Sequence, residues 1–234
     1  MVQVNNGDNT PITLRVKFFK KGRLQYISHL DLVRTMMKII VRSGLPLWYT
    51  EGFNPKPKLT FAAPLSIGTE SLCEYMDIRL TERADADMLM KQLNANMTDE
   101  MQATEAYYPT TKLSSLGYLE YMIDIKTEGA DENLVSFISN VMSAPELQIL
   151  KKTKSGEAVV DIKPLIKSFS AELSGNRIII GCVLSAEPSS FLNPEYIIKL
   201  LRDKCGILSS ENIISEGYTV TRTNAYFADM KPFS

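Results

Sequence analysis

Apolar and polar residues follow one pattern in the first half of this chain and repeat it in the second. LRVKFF at 14–19 sets Leu14, Val16 and Phe18 on one side and Arg15 and Lys17 on the other, the period of two of a half-buried strand. KKGR follows as a turn, and the period then becomes helical. Ser28 and Asp31 form a capping-box-like start, the helix runs to about Ser43, and Gly44 stands where a C-terminal cap is needed. Further strands are predicted at 45–50 (LPLWYT), 58–65 (KLTFAAPL), 73–80 (CEYMDIRL) and 102–109 (QATEAYYP). Ala86, Leu89, Met90, Leu93 and Met97 space a second helix between the last two.

The pattern then restarts. A strand is predicted at 119–126 and a helix at 131–143 with Leu134, Phe137, Ile138, Val141 and Met142 facing inward. ELQILKK and EAVVDIK flank the turn KTKSG as a hairpin, and SFSAEL and RIIIGCVLS form another across SGN. NPEYIIKLLRDKCG reads as a helix with Asn193 at the N-cap, Pro194 in the first turn and Gly206 past the end. GYTVTRTNAYF is the final strand. Both halves run strand–helix–strands–helix–strand, the order of a ferredoxin-like unit with an extra strand or hairpin. The expected fold is therefore α+β: two tandem ferredoxin-like domains of βαββαβ type with antiparallel sheets. They occupy 13–112 and 113–234, after a flexible lead-in at 1–12. One continuous α+β sheet is the competing arrangement.

Composition narrows the function classes. An apolar fraction of 44% and a charged fraction of 23% suit a globular protein. No apolar run reaches the roughly 18–20 residues that span a bilayer, and MVQVNNGDNTP lacks a signal pattern, so a cytoplasmic location is expected. Cys73, Cys182 and Cys205 lie far apart and read as reduced, mostly buried thiols. With one histidine, the chain has too few ligands for zinc or an iron–sulfur cluster.

Net charge is −1, but unevenly spread. Residues 14–60 hold ten Lys/Arg (15, 17, 20, 21, 23, 34, 38, 42, 56, 58) against Asp31 and Glu51, an excess of +8, which leaves −9 for the rest. Such a region attracts phosphates. On a wheel of 28–43, Asp31, Arg34, Thr35, Lys38 and Arg42 share about 100° of arc. The remainder from Leu30 to Val41 is apolar and predicts a helix covered on two sides, by its own sheet and by the other half. Arg34, Lys38 and Arg42 form a row at i, i+4, i+8, either a solvated face or a phosphate-tracking stripe. His29 falls mid-arc at the first helical position, expected as a hydrogen-bonded residue beneath the helix end.

GFNPKPK at 52–58 adds stiffness, because each proline fixes its own φ and pushes the preceding residue toward extended geometry. An extended run points Asn54, Lys56 and Lys58 the same way. Phe53 supplies a flat face, with Trp48 and Tyr49 just upstream. Cations beside an exposed aromatic ring are what single-stranded RNA recognition uses. A stiff connection with solvated lysines is the plainer alternative.

YISHLDLVRTMMKIIVRSGLPLWYTEGFNPKPKLTFAAPLSIGTES resembles the start of an uncharacterised bacterial family known as radical-SAM-linked proteins, found beside or fused to a radical SAM enzyme. The shared pattern is S-H-L-D-L, then G-L-P-x-x-Y-x-x-G-F-N-P-x-P-K, then P-L-x-x-G-x-E-S. Weaker matches at VVDIKPLI, the NP-start helix and VTRTNAYF extend it over most of the chain. The family more often has His or Arg at Lys56 and Arg at Lys163, and lysine lacks the bidentate phosphate contact of arginine. The expected pairing of two ferredoxin-like domains is also similar to that in the repeat-processing RNA endonucleases of CRISPR systems.

The resemblance implies a radical SAM enzyme as partner. C-x-x-x-C-x-x-C is absent, so the iron–sulfur cluster and S-adenosylmethionine are expected only in that partner and no cofactor in this chain. The leading expectation is a non-catalytic partner that binds or presents RNA through its basic N-terminal surface. Arg34, Lys38, Arg42, Lys56 and Lys58 would hold phosphates, Phe53 would stack and Asn54 would read a base edge. One alternative is a protein-only adaptor docking the enzyme through that surface. Another is a metal-independent ribonuclease with His29 as base, Tyr26 as acid and Lys56 or Arg23 as cation.

Overall fold

The structure, a computed structural model, describes residues 10–153, 156–210 and 215–234. The chain divides into a first unit, up to Ser115 with Ser234 added, and a second, Leu116–Phe233. Each is a mixed α+β unit with an antiparallel sheet.

In the first unit, β1 (Ile12–Lys20) leads through a short 3-10 helix (Gly22–Tyr26) into α1 (His29–Arg42). Then come β2 (Leu59–Phe61), β3 (Thr69–Leu80), α2 (Ala86–Asn94) and β4 (Met101–Tyr107). The strands lie in the order β4-β1-β3-β2, every neighbouring pair antiparallel. Leu14, Val16 and Phe18 of β1 and Met76, Ile78 and Leu80 of β3 are wholly buried, as their alternation predicts. They join Leu32, Met36, Ile39 and Ile40 of α1 and Leu89 and Leu93 of α2 in one core. Each such side chain contributes about 1.5–3 kcal/mol through removal from water.

The other face of β1 and β3 carries an ion pair. Arg15 and Asp77 stand directly opposite in the register. Arg15 Nε and Nη2 donate to the two Asp77 carboxylate oxygens at 2.8 and 3.1 Å. The guanidinium also donates to the Thr111 hydroxyl at 3.0 Å, the Thr111 carbonyl at 2.9 Å and the Ser234 carbonyl at 3.0 Å. Arg15 is completely buried, so these bonds replace its lost hydration.

Two expectations for this unit fail. KKGR is not a simple turn, since Gly22 opens the 3-10 helix. LPLWYT is not a strand: its only ladder contacts are isolated bridges, Leu47 with Leu80 and Tyr49 with Pro57. The strand expected at 58–65 is three residues long, Leu59–Phe61, set between Pro57 and Pro64.

The second unit runs β5 (Leu116–Lys126), α3 (Glu132–Met142), β6 (Gln148–Thr153), β7 (Gly156–Asp161), β8 (Ile166–Ser174), β9 (Arg177–Ser185), α4 (Glu195–Cys205) and β10 (Gly217–Phe227). Its main sheet has the order β10-β5-β9-β8, again antiparallel throughout, and β6 and β7 form a separate hairpin. The tip of the KTKSG turn, 154–155, lies outside the described residues. Inward positions of β5 and β9, among them Leu119, Ile123, Ile178 and Ile180, are buried as alternation predicts. On α3 the inward seam is Val135, Ile138 and Met142, while Phe137 is 48% exposed, a correction of the expected face. Asn193 supplies the expected cap, since its Oδ1 accepts from the Glu195 N–H at 3.0 Å. Gly206 ends α4 in the left-handed conformation, φ 69°.

Glu216 ties loops of this unit together. It accepts from the Thr127 hydroxyl at 2.5 Å and from the N–H groups of Ser210 at 2.5 Å and Glu128 at 3.0 Å. The Thr127 bond and these amides hold its carboxyl below the ordinary range.

Two outcomes are expected. Arg15→Ala strands the Asp77 carboxylate and lowers unfolding stability by about 3–5 kcal/mol in urea titration, whereas Arg15→Met with Asp77→Leu recovers most of the loss; an Arg15→Ala protein of undiminished stability contradicts this. Glu216 contributes stability above the ordinary carboxylate pKa and loses it as pH falls through its lowered folded value. Melting temperature should therefore fall further on acidification for wild type than for Glu216→Gln. Parallel curves would show that the carboxylate bonds do not stabilise the fold.

Candidate nucleic-acid interface

Helix α1 begins as its sequence predicts. The Asp31 N–H donates to Ser28 Oγ at 3.1 Å, and the Ser28 hydroxyl donates to Asp31 Oδ2 at 2.7 Å. Asp31 then engages Arg34 at 3.4 Å in an exposed pair that contributes little. The next two cations of the row, Lys38 and Arg42, are exposed and have no side-chain partner among the described residues.

The expected double cover of α1 is incomplete. Leu30 is 56% and Val41 49% exposed, so the buried arc narrows to Leu32, Met36, Ile39 and Ile40. Apolar side chains thus stand in the open beside the cationic row.

GFNPKPK is not extended throughout. Residues 51–54 bend, with Gly52 at φ 114°, a conformation that disfavours any side chain. Beyond the bend the chain returns along the segment it left. Lys58 N–H donates to the Trp48 carbonyl at 3.0 Å, and Thr50 N–H to the Lys56 carbonyl at 2.8 Å. Lys56 N–H donates to the Thr50 hydroxyl at 3.0 Å. Residues 48–58 therefore make a small hairpin with EGFNP at its tip. Asn54 sits in the bend, so its expected alignment with the two lysines has no extended backbone behind it. Lys56 and Lys58 are exposed on either side of buried Pro57, the alternation expected for those two, and neither has a side-chain partner among the described residues.

The hairpin adjoins α1. Met37, Lys38, Val41, Arg42 and Pro57 line one shallow groove of about 280 Å³. Its floor is apolar and its rim cationic. At the hairpin tip Phe53 is fully exposed. An apolar ring in open water can stack a base, and Lys38, Arg42, Lys56 and Lys58, without side-chain partners among the described residues, can hold phosphates. Met37, Val41 and Pro57 are groove residues that the charge pattern did not reveal. Their signal was present on the helical wheel, where Met37 and Val41 flank Lys38 and Arg42 one turn apart.

The +8 excess of residues 14–60 is not all surface. Arg15 and Lys20 are buried, Lys17 pairs with Glu105 at 2.7 Å, and Arg23 approaches Glu100 at 3.7 Å. A count along the chain overlooks the acids that pairing brings from β3 and β4.

His29 does begin α1 but is not the hydrogen-bonded residue expected there. Its Nδ1 is buried without a hydrogen-bond partner, and its ring meets Phe61 edge-on at 5.4 Å. Tyr26 is 66% exposed. Cys73 and Cys182 are buried and Cys205 is partly so. Burial, reinforced by Glu120, pushes the Cys182 thiol up to about 12, far from the range of a reactive thiolate. Among the described residues no three His, Cys, Asp or Glu side chains converge as metal ligands would, and no helix is long and apolar enough to cross a membrane.

The matched family spans residues 13–194 and is described as "Uncharacterized protein conserved in bacteria (DUF2344)". The chain belongs to this family. No curated protein matches it. Among solved structures it is similar to a chain of "Crystal Structure of a Cbf5-Nop10-Gar1 Complex", with 12% identity and a TM-score of 0.48; the match covers 91% of this chain and 48% of that one. The chain thus spans about half the length of that matched chain. It is also similar to an unknown protein from Galdieria sulphuraria, with 10% identity, a TM-score of 0.26 and coverage of 91% and 99%. At 7% identity and a TM-score of 0.21, it matches DyPB from Rhodococcus jostii RHA1, with coverage of 92% and 94%.

Gly52 has open space around it, so Gly52→Ala tests backbone strain alone. The substitution should cost about 1–3 kcal/mol locally. Hydrogen exchange should quicken at the Thr50 and Lys58 amides and stay unchanged in β1. Unchanged exchange at Thr50 and Lys58 would mean that the bend does not hold the hairpin.

Proposed function

We propose that this chain is a non-catalytic RNA-binding partner of a radical SAM enzyme, and that the α1–hairpin surface is where RNA sits. Two tandem ferredoxin-like domains form its scaffold in this reading. The order β-α-β-β-α-β and the antiparallel arrangement 4-1-3-2 in each unit support that scaffold, with β6–β7 inserted in the second. The enzyme partner rests on the sequence resemblance alone.

The observation that carries the RNA reading is the groove itself. Lys38 and Arg42 reach it from α1, Pro57 closes it from the hairpin, and Lys56 and Lys58 flank Pro57. Fully exposed Phe53 lies five residues or fewer from both lysines, ready to stack a base. Arg34 adds a cation shared with Asp31, and Asn54 offers a polar edge at the tip. Bases resting on Phe53 and the apolar floor leave phosphates to the rim.

Exposed Leu30 and Val41 favour a second reading, a protein adaptor whose partner covers the same face with an apolar and acidic surface. Co-purification with and without nuclease separates the two. Loss of the enzyme after nuclease points to RNA as the bridge, and retention points to direct docking.

Lys38, Arg42, Lys56 and Lys58, without partners among the described residues, predict a log–log salt slope of about −3 for single-stranded RNA, at about −0.7 per phosphate contact. Lys56→Gln or Lys58→Gln should each make the slope shallower by about 0.7. Phe53→Ala should weaken binding by about 1–3 kcal/mol and leave the slope unchanged. Trp48, the single tryptophan of the chain, lies in the hairpin and its fluorescence should report the titration. A salt-insensitive interaction, or none, removes the proposal.

A further inference from the structure

A second cleft in the first unit lies on residues that the RNA reading does not use. Thr13 of β1, Thr60 of β2 and Asp77 and Arg79 of β3 form one wall, and the segment 109–114 forms the other. Its volume is about 400 Å³, within the range of sites that enclose a small molecule.

The polar groups of this cleft divide into used and unused. Asp77 is held by Arg15, so its charge is already answered. The Thr111 hydroxyl accepts from Arg15 and donates to the Ser234 carbonyl. The Thr13 hydroxyl accepts from Arg79 Nη1. That bond orients the guanidinium and leaves Nε and Nη2 of Arg79 without a partner among the described residues. The Lys112 ammonium and the hydroxyls of Thr60, Thr110 and Ser114 likewise have none. Two cations and three hydroxyls therefore line one cleft without an acidic partner among the described residues. Pro109 and Leu113 add an apolar patch on the same wall.

An arginine with two free donors fits two oxygens of one phosphate, and a neighbouring lysine adds a point charge. The hydroxyls suit the ester oxygen and a polyhydroxyl body, and Pro109 and Leu113 suit a flat or apolar one. We propose that this cleft binds a small phosphate monoester, a sugar phosphate or nucleoside monophosphate, with its phosphate on Arg79 and Lys112.

The test is calorimetric titration of the full chain with ribose 5-phosphate and AMP, using ribose and adenosine as controls. At least one phosphorylated compound should bind saturably and at least about tenfold more tightly than its unphosphorylated control, a difference of about 1.4 kcal/mol. Binding by ribose 5-phosphate marks the sugar phosphate as sufficient, and binding by AMP alone marks the base as a required contact. Arg79→Gln and Lys112→Gln should each weaken binding about tenfold or more. Lys112 is exposed, so its variant keeps the fold, with circular dichroism as the check. Lys38→Glu with Arg42→Glu should leave monoester binding intact, so this proposal and the RNA reading fail separately. Three results overturn it: no saturable binding of either compound, equal binding of the controls, or affinity unchanged in Lys112→Gln.

Discussion

The backbone bonds that close residues 48–58 into a hairpin shape the candidate interface. Thr50 N–H donates to the Lys56 carbonyl and Lys58 N–H to the Trp48 carbonyl, on either side of the Tyr49–Pro57 bridge, a position where proline costs the ladder no bond. The chain turns back through the bend at 51–54, where Gly52 has φ 114° and Phe53 is fully exposed, and Pro57 lines one groove with Lys38 and Arg42. The open ring, the two exposed lysines and the groove beside α1 all belong to this one small hairpin.

The rest of the first unit supplies a rigid base for this arrangement. α1 rests on β1 and β3 through Leu32, Met36, Ile39 and Ile40. Across those two strands Arg15 meets Asp77 with both bonds of a fork. The pair fixes the β1–β3 register in a place where water cannot compensate an error. The same Asp77 wall then opens into the second cleft, where Arg79 is left with donors to spare. One strand pairing thus holds the helix on one face of the sheet and shapes a polar cavity on the other.

Much of this was legible from residues alone where the signal is local. Alternation at Leu14, Val16 and Phe18, the Ser28–Asp31 cap, Asn193 before Pro194, and Gly206 each act within a few positions, and each acts as read. The losses are of a different kind. LPLWYT has strand composition, yet its backbone pairs in short pieces with two different segments, β3 near Leu80 and residues 56–58, and forms no regular strand. Phe137 is apolar, but α3 turns Val135 inward instead, a choice made by packing and not by periodicity. Arg15 and Asp77 are 62 residues apart, so neither their pairing nor the drop in free surface charge is visible along the chain. The exposed row at Lys38 and Arg42 was legible, while its junction with Pro57 needed the hairpin to fold.

The central claim is that the α1–hairpin surface contacts RNA through an open aromatic ring and unpaired cations. Ultraviolet crosslinking in cells, followed by mass spectrometry of nucleotide-bearing peptides, tests it most directly. The claim predicts adducts concentrated in the peptide that contains Phe53, with loss of those adducts in Phe53→Ala. Recovery of the chain without nucleotide adducts, or with adducts confined to the second unit, would contradict it.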